Sequence, residues 1–166
     1  MRLSVQPILD IAGEKITFAG EIDFNWIKRH GESVFPGLLA VSGEVENRAG
    51  VVVLRYQIKG SMPLECDRCL MQTDRLIDKK FEHTVVAQTS NDDTDDAFIN
   101  VPDGVLDIDE IAASDLQLDL PQIFLCKDDC KGLCPICGAD LNYNNCGCQS
   151  DSTDPRMQKL RNLLKN

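Results

Sequence analysis

Apolar and polar positions alternate through the first half of the chain. Ile16, Phe18, Ile22 and Phe24 fall at even spacing between Lys15 and Phe24, the period of a strand with one buried face, although Ala19 and Gly20 weaken its middle. Leu39, Val41 and Val45 share one parity, and Val52, Leu54, Tyr56 and Ile58 share one beyond the turn-like Asn47-Arg48-Ala49-Gly50. That pattern predicts a hairpin. Strand-like segments resume at Met62 to Cys66 and from about Arg75 to Gln88, the latter holding Leu76, Phe81, Val85 and Val86.

The second half follows other rules. Asp107 is placed to cap a helix running from Ile108 to about Leu120 and stopped by Pro121, with early acids favourable to the helix dipole. The alternation of Leu116, Leu118 and Leu120 also fits a short strand, and Asp115 and Asp119 fall close to the apolar side of a helical wheel. Asp154-Pro155 opens a terminal helix, with Met157, Leu160 and Leu164 on one side and basic residues around the remainder. The expected fold class is α+β: mainly an antiparallel β sandwich or open barrel in the N-terminal half, a short helical segment, a Cys-rich zinc-ribbon-like segment and a C-terminal helix. The corresponding divisions are 1–125, 126–150 and 151–166.

The chain has 166 residues, 43% of them hydrophobic, enough to bury a core and too few for two full enzymatic domains. No apolar run approaches the roughly 18 residues that cross a bilayer, and Pro7 and Asp10 interrupt any secretory segment. The expectation is a cytoplasmic protein without a membrane partner. Its formal charge is −10, concentrated in one block. From Glu82 to Cys126 there are eleven acids and no Lys or Arg, so the rest of the chain is nearly neutral. Such a run reads first as a solvated face and loop, centred on Asp92 to Asp96, and second as a partner-binding or RNA-mimicking surface.

Cysteine is the most informative residue type. The spacing is Cys66-x2-Cys69, then Cys126-x3-Cys130-x3-Cys134-x2-Cys137-x8-Cys146-x-Cys148. Eight thiols in a chain expected to stay in a reducing compartment point to metal rather than disulfides. A Cys-x2-Cys turn aims two sulfurs at one ion while its backbone N–H groups stabilise the thiolates. Cys134-Pro135-Ile136-Cys137-Gly138 is such a knuckle, and Cys146-Gly147-Cys148 is its natural mate. That leaves Cys66 and Cys69 with Cys126 and Cys130, whose i,i+4 spacing puts two sulfurs on one face if the turn is helical. Two Zn2+ sites of four cysteines each are expected. The second pairing closes a long loop and would make the metal part of the fold. Arg68, Lys127 and Lys131 lie beside ligands, where partial neutralisation is their expected task. Four thiolates also suit an iron–sulfur cluster, and a thioredoxin-like redox pair is the other competitor, lacking here its βαβ context.

Little else carries chemistry. His30 and His83 lie outside any ligand or catalytic signature, and Trp26 suits an edge position. No G-x-S-x-G, phosphate loop, G-x-G-x-x-G or H-E-x-x-H occurs. Asp107, Asp109 and Glu110 are explained by helix capping more simply than by a divalent cation. Neither an enzyme nor a small-molecule substrate is expected, since closed four-cysteine sites leave no coordination position for water.

The run Cys126-Lys127-Asp128-Asp129-Cys130-Lys131-Gly132-Leu133-Cys134-Pro135-Ile136-Cys137-Gly138-Ala139-Asp140-Leu141-Asn142, following Leu64-Glu65-Cys66-Asp67-Arg68-Cys69, resembles the YceD family of large ribosomal RNA subunit accumulation proteins. The likeness extends through Leu120-Pro121 to the Asp154-Pro155 helix. It implies a non-enzymatic factor needed for accumulation of 23S ribosomal RNA through large-subunit assembly. Its partners would be ribosomal RNA, large-subunit proteins or their precursors. Candidates for direct RNA contact are Arg156, Lys159, Arg161 and Lys165 on the last helix, with Lys127 and Lys131 near the metal. The simpler reading of those residues is a solubilised helix face and charge balance. A zinc-ribbon adaptor without ribosomal involvement and the CxxC redox protein are the alternative functions.

Overall fold

The computed structural model describes residues 1–87 and 98–148. The acidic stretch Asp92 to Asp96 and the segment opened by Asp154-Pro155, with Arg156, Lys159, Arg161 and Lys165, lie outside the described residues. The chain divides into two compact units, one of Met1–Leu64 and Asp74–Gln122, the other of Glu65–Thr73 with the chain from Ile123 onward.

The first unit is mostly sheet. Its elements are β1 (Arg2–Ser4), α1 (Gln6–Asp10), β2 (Lys15–Asp23), β3 (Lys28–Arg29), β4 (Glu32–Ser33), β5 (Leu38–Arg48), β6 (Val51–Glu65), β7 (Gln72–Val86), β8 (Phe98–Asn100), β9 (Val105–Asp107) and α2 (Ile108–Asp119), the facing ends of β6 and β7 belonging to the second unit. Five strands form one sheet in the order β2-β5-β6-β7-β8, while β1 with β9 and β3 with β4 make two-stranded sheets. β2–β5 and β5–β6 are antiparallel, and β7–β8 is parallel. That parallel pair is an exception within a sheet expected to be mainly antiparallel. The runs expected to end near Ile58 and resume at Met62 are one strand: β6 runs unbroken from Val51 to Glu65.

The register explains the alternation. Ile22 opposes Leu39, Ile16 opposes Val45, and Val45 in turn opposes Leu54, so their side chains share a face. Leu39, Val41, Val45, Leu54 and Ile58 are all buried there, as are Ile108, Ala112 and Leu116 of α2. Burying each large aliphatic side chain contributes about 1.5–3 kcal/mol. Gly43 sits in the same row because a Cβ would lie 2.5 Å from Tyr56 Cβ and 2.8 Å from the Phe18 ring. Its missing side chain admits two aromatic ones.

The β5–β6 turn uses Ala49 (φ 53°) and Gly50 (φ 90°) as a two-residue loop of the mirror-image kind that matches strand twist. Asn47, 2% exposed, supports it: its Oδ1 accepts from Gly50 N–H at 2.9 Å, and its Nδ2 donates to the Ile8 and Leu9 carbonyls at 2.7 and 3.3 Å. α2 is capped by Asp107, whose carboxylate accepts from Asp109 N–H at 3.2 Å. The acids on the apolar side of this helix have partners on the sheet. Asp115 accepts from Tyr56 Oη and meets His83 Nε2 at 2.6 Å, and Asp119 pairs with Lys79 at 2.8 Å. Burial first, and then the bond to Asp115, raises the Tyr56 hydroxyl far above its ordinary range. No helix among the described residues is long and apolar enough to cross a membrane.

Candidate metal centres

Among its described residues the second unit has little apolar material of its own. Its described part comprises residues 65–73 and 123–148, and its buried cluster consists of Cys66, Cys69 and Cys130, with Met71, Leu125, Cys126 and Leu133 packed around them.

The first knuckle opens as β6 ends. Leu70 N–H donates to the Cys66 carbonyl at 2.9 Å, Cys66 N–H donates to Met71 O at 3.0 Å, and Leu70 takes a left-handed φ of 59° to complete the turn. Asp67 holds the opposing segment at both main-chain atoms of Phe124: Asp67 N–H donates to Phe124 O at 2.8 Å, and Asp67 Oδ2 accepts from Phe124 N–H at 2.7 Å. Arg68 donates through Nη1 to the Cys130 carbonyl at 2.8 Å. Its guanidinium therefore braces the backbone beside a sulfur. Cys126 and Cys130 flank a turn in which Cys130 N–H bonds Lys127 O at 3.1 Å, and the segment is not helical. The side chains converge all the same.

The second knuckle repeats the first. Gly138 N–H donates to the Cys134 carbonyl at 2.8 Å, and Gly138 takes φ 73°. An isolated antiparallel bridge, Leu133 to Asp140, brings the chain back, with Cys134 N–H on Ala139 O at 2.8 Å. Gly147, φ 65°, turns Cys146 and Cys148 toward the same point.

The sulfurs form two quartets, Cys66, Cys69, Cys126 and Cys130, and Cys134, Cys137, Cys146 and Cys148, each with its ligand atoms within 4.8 Å of one another. Spacing alone suggested the same division. All eight cysteines are free. Tetrahedral coordination with metal–sulfur bonds of about 2.3 Å requires sulfurs about 3.8 Å apart. Cys66 to Cys130 is 3.7 Å and Cys69 to Cys126 is 3.6 Å. The donor set fits a divalent soft or borderline cation.

The thiols are polarised within each quartet. Burial opposes ionisation of Cys66, but the backbone amides of Cys126, Arg68 and Cys69 outweigh it and bring the thiol down to about 6. The amides of Cys137 and Ile136 bring Cys134 down to about 6. Cys126 is pushed up to about 12 by burial and then by its neighbours Cys69 and Cys130. Hydrogen bonding to Cys137 and Cys146 pushes Cys148 up to about 12. Four negative sulfurs at this distance need a cation among them.

Among the basic candidates, Lys127 pairs with Asp129 at 3.8 Å, and Lys131 is exposed, its main-chain N–H donating to Asn142 Oδ1 at 2.9 Å. Sequence reasoning missed Asp67 and Asn142. Asn142 Nδ2 donates to Cys130 Sγ at 3.4 Å. The Asp140-Leu141-Asn142 spacing, typical of side chains that bind nearby backbone, was the available signal.

Fold and site together define a β-rich protein carrying two four-cysteine clusters suited to metal. The family model for large ribosomal RNA subunit accumulation protein YceD matches residues 54–164, and the chain belongs to that family. It is 28% identical over 126 residues to the uncharacterized protein YlbN of Bacillus subtilis, covering 75% of this chain and 73% of the relative. It is also 28% identical over 130 residues to the uncharacterized protein Rv2926c of Mycobacterium tuberculosis, and 31% identical over 124 residues to the uncharacterized protein ML1660 of Mycobacterium leprae. The matches span 76% and 72% of this chain, but 62% and 56% of those two relatives. No solved structure matches the chain.

Proposed function

We propose that this protein is a non-enzymatic factor, stabilised by two structural zinc ions, that supports accumulation of 23S ribosomal RNA during assembly of the large ribosomal subunit. The observation that carries the reading is the pair of four-sulfur clusters within a chain of the YceD family. Zinc suits tetrahedral thiolate sites and has no redox chemistry of its own. With all four positions taken by sulfur, neither site offers a place for water or substrate, so the metal acts on the fold. Any partner would be a ribosomal RNA, a large-subunit protein or a precursor particle, and the reading places the protein in the cytoplasm. Exposed Lys127 and Lys131 supply cations for phosphate contact from the described part of the second unit. Such contact releases counterions and weakens steeply with salt.

Two measurements test the reading. Elemental analysis of the purified protein should find two zinc ions per chain. Depletion in cells should lower 23S relative to 16S ribosomal RNA. Unchanged ribosomal RNA and subunit profiles would remove the ribosomal role, and recovery of polymerase or DNA after crosslinking would favour an adaptor in transcription. Iron in place of zinc, or a reversible Cys66–Cys69 disulfide with the fold retained, would move the protein to redox chemistry.

A further inference from the structure

Asn142 belongs to the loop between Cys137 and Cys146, yet its side chain reaches the other quartet. Nδ2 donates to Cys130 Sγ at 3.4 Å and to Asp140 Oδ1 at 2.7 Å; Oδ1 accepts from Lys131 N–H at 2.9 Å; and Asn142 N–H donates to Asp140 Oδ1 at 2.8 Å. The Lys131 amide demands an acceptor, which fixes the oxygen end and leaves the NH2 group facing the sulfur. Only Lys131, Gly132 and Leu133 separate Cys130 from Cys134. That bridge is held on two sides, Leu133 N–H donating to Arg68 O at 3.0 Å and Leu141 N–H to Gly132 O at 2.9 Å. A Cβ on Gly132 would lie 2.9 Å from the Arg68 carbonyl oxygen.

We propose that Asn142 couples the two quartets, so that an ion held by Cys134, Cys137, Cys146 and Cys148 raises the metal affinity of Cys66, Cys69, Cys126 and Cys130. The proposal rests on the metal-binding reading above. An N–H donated to a ligating thiolate relieves negative charge at a four-sulfur centre and orients the ligand. The loop that presents this N–H is anchored at its two ends by Cys137 and Cys146. An ion in the second quartet shortens the loop's conformational freedom and so fixes the donor for the first. Linkage makes the effect reciprocal: loading the first quartet raises the affinity of the second by the same factor.

Titration of the full-length protein with Cd2+ alone tests this, because cadmium NMR resolves the two sites and chelator competition gives the affinity of each. Asn142→Ala is expected to weaken the first quartet about tenfold, the low end for loss of a ligand-supporting hydrogen bond. Cys137→Ser with Cys146→Ser, which leaves Asn142 in place, should weaken the first quartet similarly. The triple variant should fall no further. An unchanged first-quartet affinity in the Cys137→Ser/Cys146→Ser protein overturns the coupling, as does an additive loss in the triple variant. If Asn142→Ala fails to fold, the double-serine protein decides alone. Two ions bound independently by the unaltered chain sink the coupling and spare the metal reading; no ion bound sinks both.

Discussion

The two knuckles share a backbone plan and differ in what surrounds it. In each, the N–H after the second cysteine returns to the carbonyl of the first, Leu70 to Cys66 and Gly138 to Cys134. In each, that same residue is left-handed. Around the first knuckle Cys66, Cys69 and Cys130 are buried and form the unit's apolar cluster. Around the second, Cys134 is buried but Cys137 is exposed. One quartet replaces a hydrophobic core, and the other pins a surface loop. Identical ligands therefore serve unequal structural roles.

The largest expected effect separates those roles directly. Cys66→Ser should abolish the ordered second unit along with its ion, because a structural zinc contributes roughly 10–16 kcal/mol of apparent folding free energy in small peptides. Cys137→Ser should lose one ion and keep most of the circular dichroism. Equal loss of structure in the two variants would erase the distinction.

The next effect is the pH dependence of metal uptake. Free of metal, Cys66 and Cys134 lie near 6 and Cys126 and Cys148 near 12. A lowered thiol favours the folded state above its unfolded value and loses that contribution as pH falls through 6; a raised thiol favours it below its unfolded value and loses that contribution as pH rises toward 12. Between these limits each quartet still holds at least one proton that an incoming cation must expel. Zinc affinity should therefore fall about tenfold or more for each unit of acidification near neutrality. Calorimetry in buffers of different ionisation enthalpy should register the released protons, and a null proton count would contradict the picture of both sites.

Glycine substitutions sharpen the comparison further. Gly132 and Gly138 are both left-handed, at 75° and 73°, but only Gly132 faces a backbone oxygen, whereas nothing lies within 4 Å of a Cβ on Gly138. Gly138→Ala should cost about 1–2 kcal/mol from the backbone alone. Gly132→Ala should cost more, about 2–4 kcal/mol in all, since overpacking adds to the strain. Urea unfolding of the metal-bound proteins would rank them. The smallest effect is at Leu70, which carries a side chain where the sister knuckle has glycine. Leu70→Gly should stabilise the protein by about 1 kcal/mol, the relief of left-handed strain less the added chain entropy. A loss of stability there would mean that the 56% exposed leucine makes a contact worth keeping.

What the sequence disclosed followed from how local each signal is. Cysteine spacing reports on a few residues and divided the sulfurs into the quartets that the structure brings together. Alternation found β2, β5 and β6, and the Asp107 cap found α2, because neighbours in sequence create those patterns. The pairing of β1 with β9 joins residues far apart in sequence, and the three-residue strands β1, β8 and β9 carry no periodicity to read. Asp115 looked misplaced on a helical wheel because its partners, Tyr56 and His83, come from distant strands. Leu70 was invisible as a left-handed residue because leucine gives no such warning.

At the β5–β6 turn, the first left-handed position is filled by alanine. A tight loop built on asparagine or glycine can organise its strands unaided, and one led by alanine is a poor nucleus. The bend must instead be imposed by what surrounds it, chiefly the Asn47 amide beneath α1. Strand alignment here is thus a property of the assembled N-terminal unit, and a peptide spanning only β5 and β6 should not adopt it.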